Sequence, residues 1–392
     1  SGFSELEIIV VNDGSKDKTL EKLIEHFRLE RRNIPIRPLI NTKAIKAVYK
    51  NKNIPNLTII DKINGGKADA LNVGINTAKN EYVCGIDADS LLAPDALLKL
   101  MSSSLDHDEI TLALGGNIFP VNGSVVNHGF IEEQGLSKNS LASLQTIEYL
   151  RAFTLGRIGW SELKSLLIIS GAFGLFERRI IAEVGGYLTT SAFKKDTVGE
   201  DMELVVRITK QAYDRHLNFR VDYIYNAICY TEVPQNFKSF RKQRNRWQRG
   251  LVDILSYHRI MIGNPKYKQA GIIGTPYFFL FEMFGPLIEI QGIFALVISG
   301  ALGLLSLNIV LLLMLTSIGL GITLSLFALL VTERDQLYLS KKDTFRLILI
   351  AIFENFGWRQ FISMYRIVGF FASMRKDTGW GHMVRAGFQN AK

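Results

Sequence analysis

The sequence has few of the residues that build metal clusters and disulfide frameworks. Its 392 residues include two cysteines, Cys84 and Cys229, and six histidines. The cysteines lie far apart in apolar, strand-like stretches and form no CxxC pair, so we interpret them as buried free thiols. The histidines show no paired ligand spacing. These absences exclude a disulfide-stabilised fold and give no support to a histidine-bound metal.

Charge is also absent over one long stretch. Residues 290–332 contain no Asp, Glu, Lys or Arg, and the mean hydropathy of the whole chain is +0.14. A membrane crossing needs roughly 20 apolar residues, so this stretch predicts two spans, near 286–304 and 309–331. Such a composition argues against an ordinary soluble enzyme and against a disordered chain. We therefore expect a membrane-embedded protein.

The part before these spans alternates strand-like and helix-like segments. Repeated strand–helix units predict an α/β domain with a mainly parallel sheet and helices on both faces. We assign residues 1–234 to this domain. The clearest strands are 7–12, 57–61 and 82–86, and the clearest helices are 19–30 and 67–78.

The formal charge of +9 is concentrated next to the apolar stretch. Residues 235–270 contain a basic, aromatic segment that is typical of an amphipathic helix at a membrane surface. The membrane part is predicted at 271–374, and its third apolar segment, 347–371, is either interfacial or spanning. A basic tail, 375–392, follows. The loop after the second predicted span is basic, which places that loop and the α/β domain in the cytoplasm by the positive-inside rule.

Carboxylates follow two of the predicted strands. Asp87 and Asp89 come directly after the strand at 82–86, and Asp13 follows the strand at 7–12. Open α/β sheets bind their ligands at the carboxyl ends of strands. Two carboxylates one residue apart can share a divalent cation and leave positions for phosphate oxygens. Taken alone, these segments are equally typical of solvated acidic and Asx turns.

A glycine pair precedes Lys67 at the predicted start of a helix. The pattern lacks the GxxxxGK[ST] sequence of an ATP-binding loop, since Ala68 replaces the hydroxyl residue. Lys67 and the helix N-terminus can still bind an anion.

Two further segments carry candidate chemistry. Asp201 lies at the start of a predicted helix, after Gly199. It is either an acidic residue that stabilises the helix N-terminus or a general base. The segment QRNRW contains Gln243, Arg246 and Trp247. An interfacial basic helix explains its arginines but not its Gln and Trp. An arginine can bind a diphosphate bidentately, and a tryptophan can stack on a sugar ring.

Together, VNDGS, DAD, GED and QRNRW, in this order and followed by membrane spans, resemble the processive branch of the inverting family 2 glycosyltransferases. That branch has a D, D, D, Q(Q/R)xRW signature and includes cellulose, chitin-oligosaccharide, poly-N-acetylglucosamine and hyaluronan synthases. The stretches 65–72 and 170–179 are also similar to the family. The resemblance implies a GT-A-type nucleotide-sugar-binding domain followed by interfacial and transmembrane helices.

The resemblance also implies roles for individual residues. Asp13 and Asp87 would contact the uridine of a UDP-sugar, and Asp89 would ligate Mg²⁺ or Mn²⁺ on the diphosphate. Asp201 would be the base that deprotonates the acceptor hydroxyl. Lys67 is expected at the donor's anionic part. Gln243, Arg246 and Trp247 would hold the diphosphate and the acceptor end of the growing glycan.

The sequence departs from the family pattern in two places. The VNDGS strand lies close to the start, and the family's first strand–helix unit is not found ahead of it. This predicts an N-terminally incomplete domain with a gap between the strands ending at Asp13 and Asp87. The FxVTxK-type gating loop of bacterial cellulose synthases is not found after the spans. This favours UDP-N-acetylglucosamine over UDP-glucose as donor.

The predicted function is therefore a processive synthase in the inner membrane that elongates a β-linked polysaccharide in the cytoplasm and exports it. Its partners would be the UDP-sugar, the glycan acceptor and the bilayer, with accessory subunits undefined. Three alternatives stay open: a UDP-glucose-using β-glucan synthase, a non-processive transferase acting on a lipid carrier, and a membrane-anchored binding module. We expect no nucleic-acid binding, because anionic headgroups already account for basic residues beside the membrane part.

Overall fold

The computed structural model describes residues 5–105, 107–189, 199–335 and 339–374. These residues form two mixed β-sheets with helices packed on them, followed by a group of apolar helices. The predicted basic tail, 375–392, lies outside the described residues.

The first sheet has four strands and is formed by the N-terminal part of the chain. Its strands are β1 (Ile8–Asn12), β2 (Glu30–Arg32), β3 (Ile45–Asn51) and β4 (Ile54–Lys62). They are arranged in the order β1-β4-β3-β2. Helix α1 (Thr19–Phe27) presents apolar residues at helical spacing, and this face packs on Leu57 and Ile59 of β4.

The second sheet has five strands and lies at the centre of the domain. Its strands are β5 (Tyr82–Ile86), β6 (Ser90–Leu92), β7 (Ile110–Pro120), β10 (Phe173–Glu177) and β11 (Phe219–Thr231). Between β7 and β10 the chain also forms a separate two-stranded hairpin, β8 (Val125–Asn127) and β9 (Phe130–Glu133). The sheet order is β5-β10-β7-β11-β6. Every residue of β10 is buried, as expected for a short apolar run inside a covered sheet.

Helices cover this central sheet. They are α2 (Lys67–Thr77), α3 (Ala96–Leu105), α4 (Ser140–Tyr149), α5 (Arg157–Glu162), α6 (Arg178–Glu183), α7 (Glu200–Asp214) and α8 (Phe237–Tyr257). A π-helical segment, Leu150–Gly156, joins α4 to α5 without a break. One core cluster contains apolar side chains of α6 and α7, and a second contains those of α3 and α4.

The prediction of a mainly parallel sheet needs correction. The pairings β1–β4 and β7–β11 are parallel, whereas the others in the two sheets are antiparallel. In the middle of the second sheet, β10 runs antiparallel to both of its neighbours, β7 and β5. The segment between β7 and β10 leaves and re-enters the sheet at the same end, so it is not the crossover that a parallel pair requires.

The gap expected between the strands that precede Asp13 and Asp87 is present. Strand β1 is the edge of the first sheet and β5 is the edge of the second, and no hydrogen-bonded ladder joins the two described strands. Consecutive residues of both strands line one cavity, so their free edges face the same space. The two strands start side by side, because Asn80, just before β5, donates a hydrogen bond to the carbonyl of Glu5.

The C-terminal part consists of apolar helices. They are α9 (Gly285–Ala301), α10 (Leu307–Asp335), α11 (Lys341–Phe353) and α12 (Trp358–Met374). Within the described residues, one helix, Leu307–Thr332, is long and apolar enough to cross a membrane, and only 11% of its most apolar window is buried. The helical stretch Ala270–Met283 and α9, bent by 48°, would be a second if they form one span. Both lie close to the predicted spans 309–331 and 286–304.

The predicted third segment, 347–371, is divided between two helices. Helix α11 ends at Phe353 and α12 begins at Trp358, with Gly357 in the left-handed region at φ +93°. Glu354 in this break is buried and accepts hydrogen bonds from Arg151 of the π-helical segment and from Ser325 of α10. A charged residue within an apolar stretch is thus paired with the α/β domain.

Candidate active site

A large cavity, of about 2210 Å³, extends from the edges of β1 and β5 to the apolar helices. It brings together residues that are far apart in the sequence. The predicted site residues that line it are Lys67, Asp87, Asp89, Asp201, Gln243, Arg246 and Trp247. Asp13 is not among its lining residues.

Asp87 and Asp89 lie in a tight turn at the carboxyl end of β5. The turn is closed by a hydrogen bond from the Ser90 amide to the Asp87 carbonyl, at 3.0 Å, and β6 follows immediately. The strand is short because this turn sends the chain to the far edge of the sheet. Asp87 and Asp89 both line the cavity.

Lys67 is the first residue of α2 and extends into this acidic group. Gly66 before it has φ +87°, which lets the chain turn sharply into the helix. The Lys67 Nζ lies 2.5 Å from Asp87 Oδ1 and 3.9 Å from Glu200 Oε1. Burial acts to lower the pKa of Lys67, but the carboxylates of Asp87 and Glu200 outweigh it and the pKa is raised. Lys67 is therefore a fixed positive charge beside the turn.

Asp201 is held at the N-terminus of α7 by backbone donors. Its Oδ1 accepts from the Met202 amide at 2.8 Å, and its Oδ2 accepts from the Gly171 amide at 3.1 Å. The preceding residue, Glu200, is buried. Its pKa is raised above the ordinary value, mainly by this burial and to a smaller extent by the negative charge of the neighbouring Asp201. Of these adjacent carboxylates, Asp201 is the more exposed to the cavity, since Glu200 is only 7% exposed.

Helix α8 presents the QRNRW residues to the cavity. Gln243, Arg246 and Trp247 are three and four positions apart, so they share one face of the helix. Asn236 caps the N-terminus of the helix, because its side chain accepts a hydrogen bond from the Ser239 amide. Trp247 remains 37% exposed and lines the cavity.

Arg244, between these residues, was not predicted as a site residue. It is buried and donates both terminal nitrogens to the carboxylate of Glu148, at 2.9 Å for Nη2–Oε2. Its guanidinium carbon lies 4.6 Å from the ring centroids of both Phe240 and Trp247. Arg244 thus fixes the tryptophan against α8 and joins α8 to α4.

The wall formed by α4, the π-helical segment and α5 was also missed from the sequence. Tyr149, Phe153 and Arg157 line the cavity at intervals of four residues. The rings of Tyr149 and Phe153 are 4.7 Å apart, and the Arg157 guanidinium carbon lies 4.1 Å from the Phe153 centroid. Burial lowers the pKa of Arg157. No motif marks these residues, because an aromatic residue every four positions is equally typical of a core helix.

The far end of the cavity is lined by the C-terminal helices. Arg359 and Arg366 of α12 and Leu324 of α10 belong to its wall. Arg366 donates to Gln248 of α8 at 2.9 Å and is paired with Glu282. The cavity therefore has one acidic end, at Asp87, and one basic and apolar end beside the apolar helices.

The chemistry of the acidic end fits a divalent cation bound together with a phosphorylated ligand. Among the described residues, no group of three or more His, Cys, Asp or Glu side chains could hold a metal ion by itself. Mg²⁺ is commonly held by one or two carboxylates plus substrate phosphates, and Mn²⁺ accepts the same oxygen ligands. The carboxylates of Asp87 and Asp89 meet that requirement.

This architecture is the GT-A fold of glycosyltransferases. It is similar to a mannosyltransferase from Pyrobaculum calidifontis that was solved in complex with GDP-mannose and Mn²⁺. The TM-score is 0.51 at 18% sequence identity, and the likeness covers 94% of this chain and 78% of that one. Residues 82–332 match the model of the family described as glycosyl transferase family group 2. The chain belongs to this family, which confirms the glycosyltransferase class predicted from the four motifs.

Curated relatives narrow the comparison further. The chain is 27% identical over 255 residues to a poly-β-1,6-N-acetyl-D-glucosamine synthase of Staphylococcus epidermidis. These residues are 64% of this chain and 49% of that protein. It is 29% identical over 256 residues to the synthase of the same description from Staphylococcus aureus strain COL, with the same coverage of each. The chain thus spans about half the length of the curated relatives that it matches.

Proposed function

We propose that this chain forms the catalytic part of a processive synthase that transfers N-acetylglucosamine from UDP-N-acetylglucosamine to a growing β-linked glycan, with inversion. The observation that carries the proposal is the continuity of the cavity. One space is lined by the acidic turn at Asp87, by Asp201, by Trp247 and by Arg359 of the apolar part. A donor and a long acceptor can meet in such a space without leaving the protein.

Asp201 is proposed as the general base. The acceptor hydroxyl gives its proton to the Asp201 carboxylate while its oxygen attacks the anomeric carbon, and the bond from that carbon to the diphosphate breaks. The electron pair of this bond leaves with UDP, and attack from the face opposite the departing UDP inverts the anomeric centre. The backbone amides of Gly171 and Met202 hold the carboxylate in place.

Charge on the departing UDP is balanced by this chain's cations. Lys67 lies at the acidic turn and Arg246 faces the cavity from α8. Asp89 would hold Mg²⁺ or Mn²⁺, and the metal would supply Lewis-acid stabilisation of the diphosphate. The proposal places the uridine near Asp87. The contact between Asp13 and uridine stays a prediction. In the structure both carboxylate oxygens of Asp13 accept hydrogen bonds from the amides of Gly65 and Gly66.

The acceptor is proposed to lie between Trp247 and the apolar helices. A tryptophan face stacks on a sugar ring, and the arginines of α12 provide hydrogen-bond donors for glycan hydroxyls. Helix α10 is long, apolar and exposed, which supports insertion of this part into the bilayer. We accordingly propose a multi-pass protein of the inner membrane with a cytoplasmic catalytic domain that exports its product. A non-processive transfer to a lipid carrier is the second candidate, because the cavity also reaches lipid-facing helices.

The test is UDP release by the purified full-length protein in detergent, with UDP-N-acetylglucosamine and UDP-glucose in parallel. Each donor is assayed with Mg²⁺, with Mn²⁺ and with a chelator, and products are sized. We expect metal-dependent release from UDP-N-acetylglucosamine and a long polymer. Asp201→Asn should abolish release, whereas Asp95→Asn, at an exposed position, should not change it.

Each alternative gives a different result in this assay. Release from UDP-glucose alone would identify a glucan synthase. A product consisting of a single sugar attached to extracted lipid would show that the protein transfers sugar to a lipid carrier and is not processive. Release that persists in Asp201→Asn would overturn the assignment of the base.

A further inference from the structure

Lys62, the last residue of β4, has a fully buried side chain outside the cavity. Its Nζ lies 2.5 Å from Asp13 Oδ1 and 2.6 Å from Asp69 Oδ1, and it donates to the Ile63 carbonyl at 2.7 Å. A buried ammonium is costly unless it is paired and hydrogen-bonded, and here three acceptors satisfy it. Lys62 therefore joins the first sheet to the loop that precedes α2.

Asp13 transmits this contact to the loop. Its Oδ1 accepts from the Gly65 amide at 2.9 Å, and its Oδ2 accepts from the Gly66 amide at 2.7 Å. The Asn64 side chain donates to the Asp13 carbonyl at 2.7 Å. Both carboxylate oxygens of Asp13 thus face the loop, which agrees with its absence from the cavity wall.

The loop packs closely against its surroundings at its glycines, so its position depends on the contacts that hold it. A Cβ at Gly65 would lie 2.6 Å from the Asp69 carboxyl carbon, and one at Gly14 would lie 3.0 Å from the Asn64 nitrogen. The next residue after the loop is Lys67, whose Nζ lies 2.5 Å from Asp87 in the cavity. The position of Lys67 therefore depends on where the glycine pair is held.

We propose that Lys62 is a positioning residue for the donor site. It fixes the Asp13 carboxylate, which fixes the glycine pair and so places Lys67 and the start of α2 against the donor's diphosphate. Lys62 itself touches no substrate. The inference rests on the proposed function for the identity of the ligand, but the chain of contacts from Lys62 to Lys67 does not depend on it.

The first test needs no activity. Amide hydrogen exchange is measured on the full-length protein and on Lys62→Met, with Lys22→Met on the exposed face of α1 as the matched control. We expect exchange in the 64–68 peptide to rise at least about tenfold in Lys62→Met, which corresponds to the loss of a charge-assisted hydrogen bond. Peptides of β7 and β10 should exchange as in the wild type. Unchanged exchange at 64–68 would overturn the proposal, whether or not the protein transfers sugar.

The second test separates positioning from general destabilisation. Donor KM and kcat are measured for Lys62→Met, Lys67→Met and the double variant, with thermal unfolding recorded for each. A positioning role predicts a donor KM about tenfold higher in Lys62→Met and little further change when Lys67→Met is added, because both remove the same interaction. Fully multiplicative effects would contradict it. If Lys62→Met does not fold, Asp13→Asn should give the same rise in exchange at 64–68, and no rise would reject the mechanism.

Discussion

The backbone of Gly171 connects the proposed base to the lysine of the donor site. Its amide lies 3.1 Å from Asp201 Oδ2, and its carbonyl accepts from Lys67 Nζ at 3.2 Å. The proposed base and this lysine are therefore linked through the backbone of one residue rather than through flexible side chains.

Substitution of Gly171 by Ala should disturb both groups at once. An added Cβ would lie 3.1 Å from Lys67 Nζ and 3.4 Å from Asp201 Oδ2. These contacts are tight enough to displace the groups by tenths of an ångström. Because misplacement of catalytic groups is expensive, we expect kcat to fall by roughly 10- to 100-fold with little change in thermal stability. Steady-state UDP release tests this, and Gly159→Ala, where a Cβ meets open space, is the matched control.

Arg244→Met should shorten the polymer more than it weakens donor binding. The substitution removes the pair with Glu148 and the contact with Trp247, so the proposed acceptor platform loses its support. Product length and donor KM, measured together, separate the two effects. Arg241→Met, at an exposed position of the same helix, is the control. Equal product lengths in the two variants would show that Arg244 does not support the acceptor site.

Glu200→Gln should change how stability depends on pH. Burial raises the pKa of Glu200 above its ordinary value of 4.5, so the folded state keeps this proton to a higher pH than the unfolded state does. The stability that Glu200 contributes is complete below pH 4.5 and is lost as the pH rises through the raised pKa. Gln cannot lose a proton, so the difference in Tm, variant minus wild type, should increase from pH 4.5 towards neutrality. Glu25→Gln, at an exposed position of α1, is the control for the substitution itself.

Glu354→Gln should destabilise the junction between the catalytic domain and the apolar helices. Glu354 is 1% exposed and accepts hydrogen bonds from Arg151 and Ser325. Removal of one partner from a fully buried ion pair typically costs about 3–5 kcal/mol. Since the Arg151 side chain is 20% exposed, we expect a loss below that range. Thermal unfolding in detergent measures the loss. A double variant with Arg151→Met should recover part of it, and additive losses would mean that the two residues do not act as a pair.

Much of the acidic end could be predicted from the sequence. Asp87, Asp89 and Asp201 each follow a recognisable strand or open a helix, and Gln243, Arg246 and Trp247 share one helical face. Local patterns of this kind survive folding because the element itself positions the side chains. The π-helical wall and the Glu148–Arg244 pair could not be found this way. They depend on which helix packs against which, and a Glu in one helix carries no sign of an Arg about a hundred positions later.

The direction of β10 shows the same limit for the fold. Its residues form a buried strand, but strand direction depends on where the preceding segment re-enters the sheet. The contact between Asp13 and Lys62 was also hidden, because Lys62 looks like any polar residue at the end of a strand.

The π-helical segment Leu150–Gly156 makes one stretch of the chain sensitive to length. Tyr149, Phe153 and Arg157 stand four positions apart along this part of the chain, and their side chains contact one another in a row. Deletion of a single residue here would change that spacing and alter the contacts between these side chains, although no motif residue had changed. Insertions and deletions within these seven residues should therefore be far less tolerated than substitutions of its outward-facing side chains.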